Sequence, residues 1–279
     1  MSEQQPRLDR ERLSVLIALA LLTSVLFRFV QLPQITRQFR VLGSPLEVNL
    51  TGTWLLVLLV GGLAGMGARY ILTAHPDFPD RLARPLHFSW LLPALVGGMA
   101  AYLTEQTRTN AVWAVSLAGA MTLIGVAVAA EFATLSPAHP SYARARVALN
   151  VLAYVLAFAF FLVIYRTRAR SLVTATGISG VAFLVALDLF SVAETRWVRV
   201  VLYAAVTGLL VGEATWALNY WRLDDWTASL FLLLLFYFCT GVVQQYLLER
   251  LKITVLLEFG FVMALVLILM VILRPVWGL

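Results

Sequence analysis

Nine stretches of roughly 17 to 25 mostly apolar residues, each long enough to cross a bilayer, follow one another with little interruption from Leu13 to Leu273. Hydrocarbon offers no water to backbone N–H and C=O groups, so a chain built of such segments must satisfy its backbone within helices or a closed barrel. The length of each run favours helices. Spans are predicted at 13–30, 53–73, 87–104, 111–134, 146–165, 171–193, 198–219, 227–247 and 253–273. With 61% of residues hydrophobic and 13% charged, nothing is left over for a separate water-soluble module. The fold class expected is all-α: a polytopic membrane helical bundle of about nine transmembrane helices, with residues 1–279 as a single integral membrane domain.

Charge and proline punctuate the spans, as in His75-Pro76-Asp77-Phe78-Pro79-Asp80-Arg81. Most connections are short, which makes sequential helices neighbours. The exception is 31–52, where Phe39-Arg40-Val41-Leu42 and Leu46-Glu47-Val48-Asn49-Leu50 alternate around Gly43-Ser44-Pro45. That alternation predicts a short β-hairpin on the membrane surface after the first span. No internal repeat is evident, so the inverted-repeat pattern of many transporters is missing.

The formal charge of +6 comes from 21 basic residues against 15 acidic ones. The arginines are scattered at helix ends, among them Arg69, Arg144, Arg146 and Arg274, where a guanidinium meets lipid phosphate. No continuous basic face lies outside the bilayer, which excludes nucleic acid as a partner and leaves membrane lipids and other membrane subunits. The basic start Arg7, Arg10 and Arg12 before Leu13 resembles a secretory signal, but Gln31-Leu32-Pro33 offers no small-x-small cleavage site. An uncleaved first span is expected. With the N-terminus in the cytoplasm, Arg7, Arg10, Arg12, Arg69, Arg81, Arg84, Arg144, Arg146, Arg196, Arg199, Arg250 and Lys252 lie inside, 12 of the 21, leaving 9 outside. This is the orientation expected in a cell inner (plasma) membrane.

Eleven of the 15 carboxylates fall at helix ends or in loops, and Glu131, Asp188, Glu213 and Glu258 fall within spans. A charge at the bilayer centre costs about 2.5 to 3.5 kcal/mol on insertion scales, so these groups should face the bundle interior, be paired, or be protonated. Under the alternating threading, Glu131, Asn150, Asp188, Gln244, Gln245 and Glu258 share one depth in the inner third and form a candidate intramembrane polar or ion site. Its two readings are proton or ion handling, and a satisfied hydrogen-bond network that fixes helix register; Glu131 and Glu258 could also snorkel to the inner interface. Gly177, Gly180, Leu184 and Asp188 follow i, i+3, i+7, i+11 spacing, which predicts that Asp188 lies on a glycine face pressed against another helix.

A candidate outer site is formed by Glu213, Asn219, Asp224 and Asp225, with Trp221 beside them. It is either an outward-facing cation or polar-substrate site, or a neutral Glu213 bonded to a neighbouring helix with the aspartates capping the next span. Gly208, Gly212, Thr215 and Asn219 make a small and polar face of the kind that packs helices.

Gly177-Ile178-Ser179-Gly180 resembles the nucleophile segment of rhomboid intramembrane proteases. Such a serine needs a histidine base. His75, His87 and His139 all lie in or beside loops before the motif, so Ser179 reads as a packing residue. The same histidines provide no pair of midspan haem ligands. Metal binding by His75 with Asp77 and Asp80 is conceivable, but a proline-broken loop with these residues is more often ordinary polar punctuation. Cys239, the one cysteine, sits midspan as a small apolar residue. No metal, cofactor or catalytic residue is assigned.

Three landmarks, Val41-Leu42-Gly43-Ser44-Pro45-Leu46, Arg69-Tyr70-Ile71-Leu72-Thr73-Ala74-His75-Pro76 and Leu218-Asn219-Tyr220-Trp221, occur in this order. The order resembles an uncharacterised bacterial family of multi-pass membrane proteins, a domain of unknown function. The resemblance covers most of the chain, implies an all-helical membrane fold, and transfers no catalytic residue. The expected function is that of a non-enzymatic bundle or a subunit of a membrane complex. An ion-coupled transporter using the intramembrane carboxylates is the alternative, and a lipid-modifying enzyme around Arg144, Arg146 and Glu131 the third.

Overall fold

The computed structural model describes residues 8–30, 35–41, 44–75, 88–136, 139–167, 171–221 and 223–273, with backbone alone at 35–41, 44–50 and 269–273. Nine helices lie within the described residues: α1 (Arg10–Phe29), α2 (Gly52–Thr73), α3 (Leu91–Glu105), α4 (Asn110–Ala133), α5 (Tyr142–Arg166), α6 (Ser171–Ser191), α7 (Trp197–Tyr220), α8 (Asp225–Leu247) and α9 (Ile253–Leu273). Seven of these are long and apolar enough to cross a membrane; Leu91–Glu105 and the Ile253–Ile268 part of α9 are shorter. Of the nine expected full spans, the one at 87–104 is corrected. α3 begins at Leu91, four residues later than predicted, with Pro93 in its first turn where a missing N–H does no harm. Its 15 residues reach only about 22 Å at 1.5 Å per residue, short of the ~30 Å hydrocarbon core.

Between α1 and α2, β1 (Ile35–Val41) and β2 (Ser44–Leu50) run antiparallel, Ile35 opposite Leu50 and Val41 opposite Ser44. The expected hairpin on a membrane surface is nevertheless not borne out as a unit of the fold. Leu42 and Gly43, on which its turn depended, lie outside the described residues, as do the side chains that would seat it on the helices. A two-stranded ribbon has little stability without such seating. The architecture rests on helices.

Helix starts follow short-range chemistry. Asp9 caps α1, its carboxylate accepting from the Glu11 and Arg12 N–H groups at 3.1 and 3.2 Å and pairing with Arg12 Nε at 2.8 Å. Asp224 caps α8 through the Thr227 N–H at 2.9 Å. At the other end of α8 the N–H groups of Glu249 and Arg250 bond back to the Tyr246 and Gln245 carbonyls, with Glu249 at φ 56° in the left-handed region. That is a Schellman closure with glutamate at the position where glycine is usual. Hydroxyls inside the helices bond to their own backbone one turn earlier, as Ser24 does to Ala20, Thr215 to Val211 and Thr240 to Phe236. In hydrocarbon this is how a lone hydroxyl finds an acceptor.

The helices fall into two compact units, α1–α4 with α5 up to Leu149, and α5 from Asn150 through α9. In the first, α2 and α3 are pressed together through glycine. A Cβ at Gly61 would stand 3.0 Å from the Ala94 carbonyl oxygen, and one at Gly97 would stand 2.8 Å from the Ala64 Cβ. α1 lies against α2, Leu16 filling the space over Gly67, and is held at its ends by Arg12 over the Tyr70 ring and Arg28 over the Trp113 ring. In the second, α6 and α7 meet in the same manner, and α9 joins α8 by setting the Phe259 ring into the notch at Gly241. Contacts of this kind suit lipid, where van der Waals fit rather than water exclusion holds helices together.

Candidate functional site

The inner-layer residues do not behave as one group. Glu131, at the end of α4, and Asp188, at the end of α6, are buried, 3% and 6% exposed, and each has an interaction partner. Gln244 of α8 donates from Nε2 to the Leu189 carbonyl at 3.4 Å, closing one of the carbonyls that the last turn of α6 leaves open. Gln245 beside it is half-buried. Asn150 turns a buried Oδ1 inward that has no hydrogen-bond partner. Glu258 departs from the expectation that intraspan carboxylates face the interior, because it is exposed on α9. It lies five residues after Ile253, and since helical side chains tilt toward the N-terminus, its carboxylate leans toward that end of α9, the direction the snorkelling reading requires.

The glycine face expected beside Asp188 is also different. Gly177 has only ordinary contact with Ile164 of α5, and nothing lies within 4 Å of a Cβ at Gly180. The close approach is made from the other side, by Gly208 and Gly212 of α7 against Ser179 of α6. Ser179 is thus a packing residue at a helix crossing. Asp188 lies in the buried last turns of α6, where Val185, Ala186, Leu187, Leu189 and Phe190 are buried as well.

The outer candidates are not assembled into a common site among the described residues. Glu213 is exposed on α7, and Asn219, six residues on, projects about 120° away around the helix. The Asn219 Nδ2 is buried with no partner. Asp224 is occupied as the α8 cap. Burial works to raise its pKa, but hydrogen bonds from the Thr227 hydroxyl and from backbone N–H groups outweigh it and hold the carboxyl below its ordinary value. Asp225 also has an interaction partner. Thr215, on the small face, is fully buried, and the Tyr165 hydroxyl donates to the Leu218 carbonyl at 3.3 Å, tying α5 to the end of α7.

Several contacts had no signature in the sequence. The Tyr154 hydroxyl meets the Thr240 hydroxyl at 3.0 Å between α5 and α8, with the Tyr154 ring edge-on to Phe236 and Tyr237. Arg28 bonds Asn110 Oδ1 at 3.2 Å as well as covering Trp113. His75 is buried edge-on against Phe132 at 4.6 Å, whereas Asp77 and Asp80, its suggested co-ligands, lie outside the described residues.

The distribution of side chains defines the class. Large apolar groups such as Leu58, Met66 and Val115 point outward, while glycines, alanines and hydroxyls fill the helix contacts. Exposed apolar surface on this scale does not occur on water-soluble monomers. Together with seven helices long and apolar enough to cross a bilayer, it is compatible with a multi-pass membrane protein. The chain belongs to the family described as protein of unknown function DUF5656, whose model matches residues 32–273. No curated protein and no solved structure matches it.

Proposed function

We propose that the chain is a multi-pass inner-membrane protein, a single integral domain with its N-terminus in the cytoplasm. In this reading it acts without chemistry of its own, as a structural subunit of a membrane complex in contact with lipids and other membrane subunits. The observation that carries this reading is the use of polar side chains to join apolar helices: Gln244 closes the end of α6, Tyr165 ties α5 to the end of α7, and Tyr154 joins Thr240. Polar groups placed in this way fix helix register. The test is purification from native membranes with mass spectrometry of bound proteins and lipids. A reproducible set of partner subunits is expected, and a protein that runs alone removes the reading.

A second reading, ion-coupled transport, is favoured by the burial of Glu131 and Asp188. Proteoliposomes holding Glu131→Gln or Asp188→Asn protein test it. Flux present in the parent and lost in either variant would establish it in place of the structural role.

A further inference from the structure

α7 presents an apolar stripe, Val206, Leu209, Leu210, Trp216 and Tyr220, all exposed, with Glu213 in its middle and also exposed. Glu213 has no hydrogen bond or ion pair with any described residue. It lies seven residues before Tyr220, the end of the helix, about 10 Å along the axis. Tyr220 and Trp221, exposed at the end of the helix, are the residue types that sit at the headgroup level. The side chain cannot reach that level easily, because its Cα–Cβ bond tilts toward the N-terminus and so deeper into the membrane. This is the reverse of Glu258, whose tilt carries it toward the nearer end of its helix. A carboxyl group on an apolar stripe within a membrane span, with no polar partner among the described residues, is costly.

We propose that the Glu213 stripe of α7 docks a transmembrane helix of another protein, one carrying a Lys or Arg at the matching depth. The proposal deepens the subunit reading and rests on it. The carboxylate specifies a cationic donor, and the flanking Trp216 and Tyr220 are the side-chain types that anchor interfaces. A second copy of this chain does not fit. Among the described residues no Lys or Arg lies as far from a helix end as Glu213, Arg69 and Arg146 being four residues from theirs, so a symmetric pairing brings carboxylate to carboxylate.

The test places a photo-crosslinking benzoylphenylalanine at Leu209 in the full-length protein in native membranes, with the same group at Leu58 of α2 as a control for general lipid exposure. The expected adduct at Leu209 is a peptide from one other membrane protein, with a Lys or Arg within about two turns of the crosslink. Its yield should fall about tenfold in Glu213→Leu, the loss of one intramembrane hydrogen-bonded pair. Glu213→Leu removes a polar group from a lipid-facing position, so folding is not at risk. Reversing both charges, Glu213→Lys with the partner's base changed to Glu, should restore the adduct. The proposal is overturned if adducts at Leu209 form only with lipid or with a second copy, if the partner peptide has no base, or if Glu213→Leu leaves the yield unchanged. Subunits that still co-purify in any of those cases preserve the subunit reading, whereas a protein isolated alone with lipid adducts only removes both.

Discussion

Gly208 of α7 lies directly against Ser179 of α6: a Cβ at residue 208 would stand 2.8 Å from the Ser179 carbonyl oxygen and 3.0 Å from the Phe183 Cβ. Backbone on both sides leaves nothing flexible to yield. Gly208→Ala is therefore expected to lower stability by about 1 to 3 kcal/mol, the range for overpacking. Gly180→Ala, on the facing helix α6 but with nothing within 4 Å of the added Cβ, should raise it by up to about 1 kcal/mol through helix propensity. Thermal unfolding in detergent compares the pair, and equal shifts in the same direction would contradict the packing described.

The cap at Asp224 predicts an acid-sensitive start to α8. Its carboxyl is held below the ordinary value, so the stabilisation is present above the unfolded pKa of about 3.9 and disappears as pH falls through the lower folded value. Asp224→Ala should cost about 1 kcal/mol at neutral pH and lack that acid step. Asp224→Asn keeps a capping oxygen and should show neither loss. Unfolding measured from neutral to acid pH for the three proteins decides this.

Glu249 carries a left-handed backbone at φ 56°. A β-carbon is disfavoured there and glycine is not. Glu249→Gly should stabilise the protein by about 1 kcal/mol, read as a higher denaturant or thermal midpoint. A drop instead would mean that the glutamate side chain has a role that outweighs the strain.

Asp188 is buried and has a partner. Asp188→Leu should cost about 1 to 3 kcal/mol, because the partner is left unsatisfied out of reach of water. Under the structural role proposed, proteoliposomes holding Asp188→Asn should pass protons no faster and no slower than those with the parent protein. A change in pH-dye response would shift the weight to the transport reading.

The helical content was legible because hydrocarbon length leaves so clear a trace. The span predicted at 253–273 is α9 to the residue, and those at 53–73 and 198–219 differ from α2 and α7 by one residue at one or both ends. Boundaries failed where local chemistry moved them, as at α3, where the apolar run from His87 enters the helix only at Leu91, and at α5, which starts at Tyr142 ahead of the apolar run. The small face of Gly208, Gly212 and Thr215 was readable and is a helix contact. The partner of that face was not, since Ser179, Gly177 and Gly180 are all small and only one of them meets α7.

From its sequence alone this chain is committed to helices and to their approximate limits, since every backbone polar group within an apolar run must be satisfied inside its own segment. The tertiary structure decided which face of each helix turns inward. In water, hydrophobic periodicity marks that face, but in lipid an apolar side chain is as well placed outside as inside, and the pattern loses its meaning. Burial of Glu131 and Asp188 and exposure of Glu213 and Glu258 were therefore settled by how particular helices pack.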